Sequence, residues 1–436
     1  MSQLLLTNLR LMDPFGETEF LENCSILIKD GVIESVGDPP NDFSGESIDM
    51  SGKTVLPGMI NAHTHLYSAL AMGMPAPKNT PQNFVQILEE IWWKLDLGLD
   101  QQSTQASFEA GLLDCIQNGV TTVIDHHASP KHVAGSLDLL VETAKRFGVN
   151  IGVCFEISDR NGEVNFQDEL AENLRAIDKY KGDSQVLPLL GLHASFTLSD
   201  DSLKQIADNL QKRDDWGIHI HVAEDLADEK DAQTKGYESV VQRLDHFSLL
   251  NNRSVIAHGI YITRQDRHIL LQHGCKLIHN PTSNANNQVG ILETEIIESL
   301  NPGLGTDGMQ SNMLSEAKEG TLIRSAIGGE QINYLQLLFR NNPTIASRLF
   351  GKELGHINVG HQADLAFYDY DSRTEPHGTN FMSHLLFGFG KPSDVMSQGI
   401  FRMHNYEIPG IDTKAILKNA RTQSMKLWAA MQAIDS

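Results

Sequence analysis

Along residues 1–54 apolar and polar positions alternate over short runs, as in "LLLTNLRLMD" and "CSILIKDGVIESVGD", with turn residues at Asp13-Pro14 and Asp30-Gly31. Alternation with period two, broken by turns, predicts a small antiparallel sheet. The far end has the same texture in "GHINVGHQADLAFYDYD" and "VMSQGIFRMHNYEI", so the two ends are expected to share one sheet domain. Between them short apolar runs alternate with amphipathic stretches of helical period, the pattern of a parallel α/β array. Eight runs read as strands: "TVLPGMINAHTH", "VTTVIDHH", "NIGVCFEIS", "VLPLLGLHA", "GIHIHVAE", "SVIAHGI", "KLIHNP" and "PGLGTDG". Helices between them include "HVAGSLDLLVETAKRFG", "FQDELAENLRAIDKYKG", "DDSLKQIADNLQKR" and "YESVVQRLDHF". Eight strands in this order predict a (β/α)8 TIM-type barrel over residues 55–354. A small β-sandwich would combine residues 1–54 with residues 355–436, the latter ending in a helix.

The interval from His65 to Val120 is longer than a crossover helix needs. It carries Phe84, Trp92 and Trp93 on an apolar stretch read as helical, suited equally to core packing and to a lid over a pocket.

Composition narrows the function classes. A chain of 436 residues suits one barrel plus a smaller domain. Its 34 Lys+Arg against 56 Asp+Glu give a net charge of −22, which repels phosphate backbones and anionic lipid. Neither nucleic acid nor a membrane is expected as a partner. Cys24, Cys115, Cys154 and Cys275 form no C-x-x-C pair, so neither a disulfide framework nor a thiolate zinc site is expected. No run approaches 18 apolar residues, and "MSQLLLTNLRLMDPFG" lacks a basic region and a cleavage site. A cytoplasmic location is the expectation.

Candidate chemistry lies where a barrel collects catalytic groups, at the C-terminal strand ends. His63 and His65 end the first strand; Asp125, His126 and His127 the second; His193 the fourth; His221 and Glu224 the fifth. His258, His279 and Asp307 end the last three. One H-x-H is expected by chance in such a chain, and a lone strand histidine is more often a satisfied core residue. Histidines repeated at the same end of so many strands weigh against that reading for all of them. Strand alternation turns His63 and His65 to one face, so both can hold one metal ion, with His221 and Asp307 as third and fourth ligands. Imidazole and carboxylate ligands without thiolates match a catalytic site. His219 shares the inward face of "GIHIHVAE" with His221 but one layer deeper, where a hydrogen-bonding core role is expected.

The pieces "PGMINAHTH", "HVAE", "AHG", "HNPTSN" and "GTDG", in this order, resemble the amidohydrolase superfamily, in its branch of metal-dependent deaminases and chlorohydrolases. "TTVIDHHASP", "CFEISDRNG" and "GTDGMQSNM" are similar to the SsnA-type aminohydrolases within it. The resemblance spans essentially the whole chain. Strand four, "VLPLLGLHA", departs from binuclear members because it offers no lysine or glutamate to bridge two metals, which implies a mononuclear site.

The resemblance implies one divalent ion, Zn2+ or Fe2+, and attack of metal-activated hydroxide on a heterocyclic carbon bearing an amine. Asp307 would accept the water's proton, Glu224 would exchange a proton with the ring nitrogen, and His258 would orient the hydroxide, with ammonia as product. His193 falls where the family places a substrate-contacting histidine. Trp92 or Trp93 could stack on a planar ring, and His279, Asn280, Ser283 and Asn284 could meet its edge. His126 and His127, beside Asp125, suit either specificity or support of the ligands. A purine, pterin, pyrimidine or triazine amine is the substrate class preferred. Opening of a cyclic amide, dehalogenation of a ring, or a non-catalytic metal-binding role remain as alternatives, and a homodimer is the assembly common in the family.

Overall fold

The computed structural model describes residues 3–213 and 215–434. The chain opens with β1 (Gln3–Met12), β2 (Phe20–Lys29), β3 (Val32–Gly37), β4 (Glu46–Asp49) and β5 (Lys53–Pro57). β2 runs antiparallel to both β1 and β3, whereas β4 and β5 run parallel to β1. The antiparallel expectation for residues 1–54 therefore holds for three strands only. Beyond β3 the chain returns across the sheet rather than turning back in a hairpin, so β4 and β5 take the direction of β1.

Two parallel sheets follow. β6 (Met59–Thr64), β7 (Val120–Asp125), β8 (Asn150–Val153) and β9 (Val186–Pro188) form the first. β10 (Leu190–Ala194), β11 (Ile218–Val222), β12 (Val255–His258), β13 (Lys276–His279) and β14 (Gly303–Leu304) form the second. The chain ends with β15 (Leu365–Asp369), β16 (Asp394–Ser397) and β17 (Ile400–Met403). β15 pairs antiparallel with β5, so both chain ends meet in one mixed eight-stranded sheet of order β17-β16-β15-β5-β1-β2-β3, with β4 on β1.

All eight strand runs form strands, and two of them divide. "TVLPGMINAHTH" splits at Gly58, giving β5 to the mixed sheet and β6 to the first parallel sheet. A side chain there would meet Thr121 Oγ1 at 2.4 Å and Asp364 Cβ at 3.0 Å, so the passage between the sheets needs glycine. "VLPLLGLHA" splits at Leu189, whose N–H bonds Val153 in the first sheet while that of Leu190 bonds Gly217 in the second.

The helices pack as their periodicity requires. In Ser136–Phe147 the buried face is Leu137, Leu140, Val141, Ala144 and Phe147, at spacings of three and four, and the helix stops at Gly148 with φ of 73°. Each fully buried Leu, Val or Phe of this face contributes about 1.5–3 kcal/mol, so Leu140→Ala would cost about 2–5 kcal/mol.

The segment after His65 is helical as expected, in three pieces: Phe84–Ile87, a wide π-type turn over Leu88–Trp92, and Trp93–Gly98. The terminal helix Thr413–Ile434 lies behind it, where Trp428 Nε1 donates to the Leu70 carbonyl at 3.0 Å. No helix of the described residues is long and apolar enough to cross a membrane. All four cysteines are free.

Candidate active site

The strand termini of the two sheets are laced together. Thr306 and Asp307 N–H groups both donate to the His63 carbonyl at 3.0 Å, and the His65 N–H donates to the Asp307 carbonyl at 3.2 Å. Thr64 forms a parallel bridge with Asp307. These bonds bring the end of β6 against the turn after β14 and aim His63, His65 and Asp307 at one point.

His63, His65, His221 and Asp307 each offer one ligand atom within 4.8 Å of the others. The far ring nitrogens fix their orientation. His65 Nδ1 donates to the His126 carbonyl at 2.6 Å, and His221 Nδ1 to the His193 carbonyl at 2.7 Å. Both therefore present Nε2 lone pairs inward, and these atoms lie 3.1 Å apart. His63 Nδ1 pairs with His219 Nε2 at 2.8 Å, leaving its own Nε2 buried without a hydrogen bond. Asp307 Oδ1 approaches His65 Nε2 at 2.8 Å and His63 Nε2 at 3.4 Å.

Facing lone pairs repel unless a proton or a cation lies between them. Without a cation, burial pulls His65 down, but Asp307 and Glu156 outweigh it and lift its pKa to about 10. Burial drives His63 to about 3 and His221 well below its ordinary value, so neither shares the proton burden. A divalent ion satisfies all three nitrogens and the carboxylate at once, and three nitrogens with one oxygen suit zinc or iron(II).

Beside the cluster, three backbone positions are left-handed: Ala223 at φ of 48°, His258 at 73° and Asp307 at 55°. Strain of this kind persists where the surroundings fix it, and here it occurs where three strands end at one site. Glu224 follows Ala223, and its Oε2 lies 3.4 Å from His258 Nε2. Burial raises Glu224 to about 7, with His258 opposing and Asp307 reinforcing that shift. His258 Nδ1 meets Asn284 Oδ1 at 2.8 Å, and the Ser283 hydroxyl donates to Asp307 Oδ2. Both residues ride on the short helix Pro281–Asn286. Buried Glu316 secures its first turn, accepting from Thr282 N at 3.0 Å and Thr282 Oγ1 at 2.5 Å.

The cluster opens into a largely enclosed cavity. Trp92, Trp93 and His193 line it, with Phe84, Leu88 and Phe196 completing an apolar wall. The aromatic stretch thus serves the pocket as well as the core. Four residues considered for substrate contact do not reach this wall. His126 packs beneath the ligands, its Nε2 on the His219 carbonyl at 3.0 Å. His127 sits among Phe108, Phe155 and Tyr67, with Nε2 on Ser129 Oγ at 2.8 Å. His279 faces Tyr334, and Asn280 is wholly buried against Gly305. Strand position alone predicted proximity for these four, but their side chains turn into packed interior. Asp125 Oδ1 accepts the Leu66 N–H at 2.6 Å, bracing the turn that follows His65.

Among the cavity residues that escaped the sequence reading, Glu156 and Asp96 stand out. Glu156 lies just beyond β8, its Oε1 at 3.1 Å from His126 Nδ1 and 3.4 Å from His65 Nδ1. The end-of-strand rule that selected the histidines would have found it in "NIGVCFEIS". Asp96 stands on the aromatic segment, where no pattern marks it.

Comparison with known proteins decides the family. Residues 54–400 match the family model described as the amidohydrolase family. This chain belongs to the amidohydrolase family. The amidohydrolase is 27% identical over 442 residues to a 5-methylthioadenosine/S-adenosylhomocysteine deaminase of Thermoanaerobacter pseudethanolicus, covering 97% of this chain and 99% of the relative. A second such deaminase, from Archaeoglobus fulgidus, is 26% identical over 424 residues, covering 95% and 97%. Its fold is that of a zinc-bound adenosine deaminase from Xanthomonas campestris, with TM-score 0.83, 20% identity, and 98% and 99% of the two chains covered. A zinc complex of atrazine chlorohydrolase from Arthrobacter aurescens TC1 superposes with TM-score 0.81 at 21% identity, covering 97% and 100%.

Proposed function

We propose that this amidohydrolase hydrolyses the bond between a heterocyclic ring carbon and its exocyclic amine, releasing ammonia. The observation that carries the reading is the convergence of His63, His65, His221 and Asp307 beside the Glu224–His258 pair in one aromatic cavity. The four residues would hold one zinc ion, the metal carried by both structural neighbours, with iron(II) the alternative for the same donors. Bound there, the ion supplies Lewis-acid polarisation and a water of lowered pKa.

The remaining chemistry belongs to the chain's own groups. Asp307 Oδ2, held by Ser283, accepts the proton of the attacking water. Glu224, with a pKa of about 7, is poised to give a proton to the ring nitrogen and recover it for the departing amine. Asn284 fixes His258 so that its Nε2 faces Glu224 and the reacting oxygen. Trp92, Trp93 and His193 would hold a planar ring against the ligands. The activities of these relatives make purine nucleosides the first substrates to try.

The same reading takes the two parallel sheets as one closed (β/α)8 barrel over residues 55–354. The Thr64–Asp307 and Ile157–Leu192 bridges support closure at its two seams. Residues 1–54 and 355–436 would then form the sandwich domain, and free cysteines suit a cytoplasmic protein.

The testing experiment is ammonia release by metal-replete protein from amino-substituted purines, pterins, pyrimidines and triazines, with metal-replete Asp307→Asn as control. Release abolished in the variant supports the deaminase. Chloride release without ammonia, from a halogenated ring, would transfer the site to the second reaction represented among the neighbours.

A further inference from the structure

The cavity carries a charge pattern that deamination itself does not require. Six carboxylates line it, Asp96, Glu156, Glu224, Asp225, Asp228 and Asp307, and among the described residues no lysine or arginine does. Four of the six have other duties. Asp307 belongs to the ligand cluster and Glu224 to the proton pair. Asp228 accepts the N–H groups of Phe196 at 3.1 Å and Ala223 at 2.9 Å. Asp225 caps the helix Leu226–Thr234.

Asp96 and Glu156 remain, each 2% exposed, with Glu156 Oε1 already facing His126 Nδ1 at 3.1 Å and His65 Nδ1 at 3.4 Å. Asp96 Oδ1 is buried with no hydrogen-bond partner, and so is the neighbouring indole Nε1 of Trp93. An unpartnered carboxylate oxygen on a cavity wall lacks a donor that a ligand can bring, and burial without one is unfavourable. The nearest cation, Arg160, pairs with one oxygen of each and leaves Asp96 Oδ1 without a donor. It lies 3.3 Å from Asp96 Oδ2 and 3.7 Å from Glu156 Oε2, donates from Nε to Ser158 Oγ at 3.0 Å, and stacks 5.0 Å from the Trp93 ring. A divalent ion in the ligand cluster would offset about two negative charges and Arg160 one more, which leaves no cation on the wall to receive an anionic ligand. In an enclosed site a like charge is opposed far more strongly than in water.

We infer that the pocket selects by charge: Asp96 and Glu156 accept hydrogen bonds from the N–H groups of a neutral or protonated, nitrogen-rich heterocycle, and carboxylate- or phosphate-bearing forms of the same ring are refused. The identity of the ring rests on the proposed deamination, whereas the charge selection does not.

The test pairs each ring with an anionic form: adenosine with AMP, cytidine with CMP, and pterin with pterin-6-carboxylate. Calorimetric binding to the metal-replete full chain is measured alongside ammonia release. At least one neutral member should bind ten-fold or more tightly than its anionic partner, and Asp96→Asn and Glu156→Gln should each raise the anionic partner's affinity about ten-fold. Equal or tighter binding of the anionic forms by the unaltered protein overturns the inference, as does failure of every neutral member to bind. Binding with the charge preference but no ammonia from any ring overturns the deaminase reading alone. Ammonia release without the preference overturns only the charge selection.

Discussion

In the proposed mechanism Glu224 carries the proton, and Asn284 holds its partner His258. Glu224 needs its proton near neutral pH, and burial beside Asp307 raises it to about 7. Glu224→Gln keeps the shape and the hydrogen-bonding edge but cannot exchange a proton. Its metal content should match that of the parent, with kcat lower by about 10²–10⁴-fold; an unchanged kcat removes Glu224 from the proposed mechanism. Asn284 acts one step further out. With Oδ1 on His258 Nδ1 at 2.8 Å it selects the tautomer that frees Nε2. Loss of such support typically costs about 10–100-fold, so Asn284→Ala should lower kcat by that amount at constant metal content, and Asn284→Asp, which keeps the acceptor, should recover much of it. Equal impairment in both variants would point to packing instead. The meeting of His63 and His65 with His221 and Asp307 was legible in the sequence because strand parity fixes which side chains share a face. Parity gives no depth, so His126, His279 and Asn280 were expected at the wall and lie behind it. Asp96 was illegible because it comes from an excursion outside the strands.

The short helix Pro281–Asn286 shows the same lesson for elements. "HNPTSNANN" is dense in turn-forming polar residues, and Ser283 and Asn284 were expected at the edge of a ring rather than against Asp307 and His258. The meeting is arranged by Glu316, more than thirty residues away, which grips both the N–H and the hydroxyl of Thr282. That grip fixes Ser283 on Asp307 and Asn284 on His258. Bonds to a buried charged or shared-proton group contribute about 1.5–3 kcal/mol each. Glu316→Ala should therefore reduce thermal stability and, through the displaced helix, lower kcat more than it raises KM. Glu316→Gln, which can still accept one bond, should fall between; a loss of stability with full kcat would mean that the helix holds its place without Glu316. Strand elements were easier to foresee, since all eight runs appear. What periodicity could not supply was their division: β5 and β6 form one continuous apolar run, and only the close approach of Thr121 and Asp364 at Gly58 separates them.

For the whole molecule, net charge of −22 and many buried carboxylates make stability a function of pH. Glu169 isolates the effect because it lies outside the ligand cluster. Burial raises its pKa to about 8, with the Ser158 N–H and Arg160 opposing and Glu156 and Asp96 reinforcing that rise. The carboxyl is 1% exposed, and its Oε2 accepts the Ser158 N–H at 3.0 Å. Between roughly pH 4.5 and 8 the folded chain holds a proton there that the unfolded chain has lost. Its stabilising contribution is complete below the unfolded value and disappears as pH rises through about 8. The difference amounts to a few kcal/mol, on the scale of about 1.4 kcal/mol per unit of pKa. Glu169→Gln keeps an amide oxygen for Ser158 and carries no titrating proton. Tm measured from pH 5 to pH 9 should therefore fall more steeply in the parent than in the variant, with the two curves diverging as pH rises and the variant the more stable above pH 8. Parallel curves would mean that Glu169 is ionised in the folded chain at neutral pH, its charge carried by Arg160 and the Ser158 N–H despite burial.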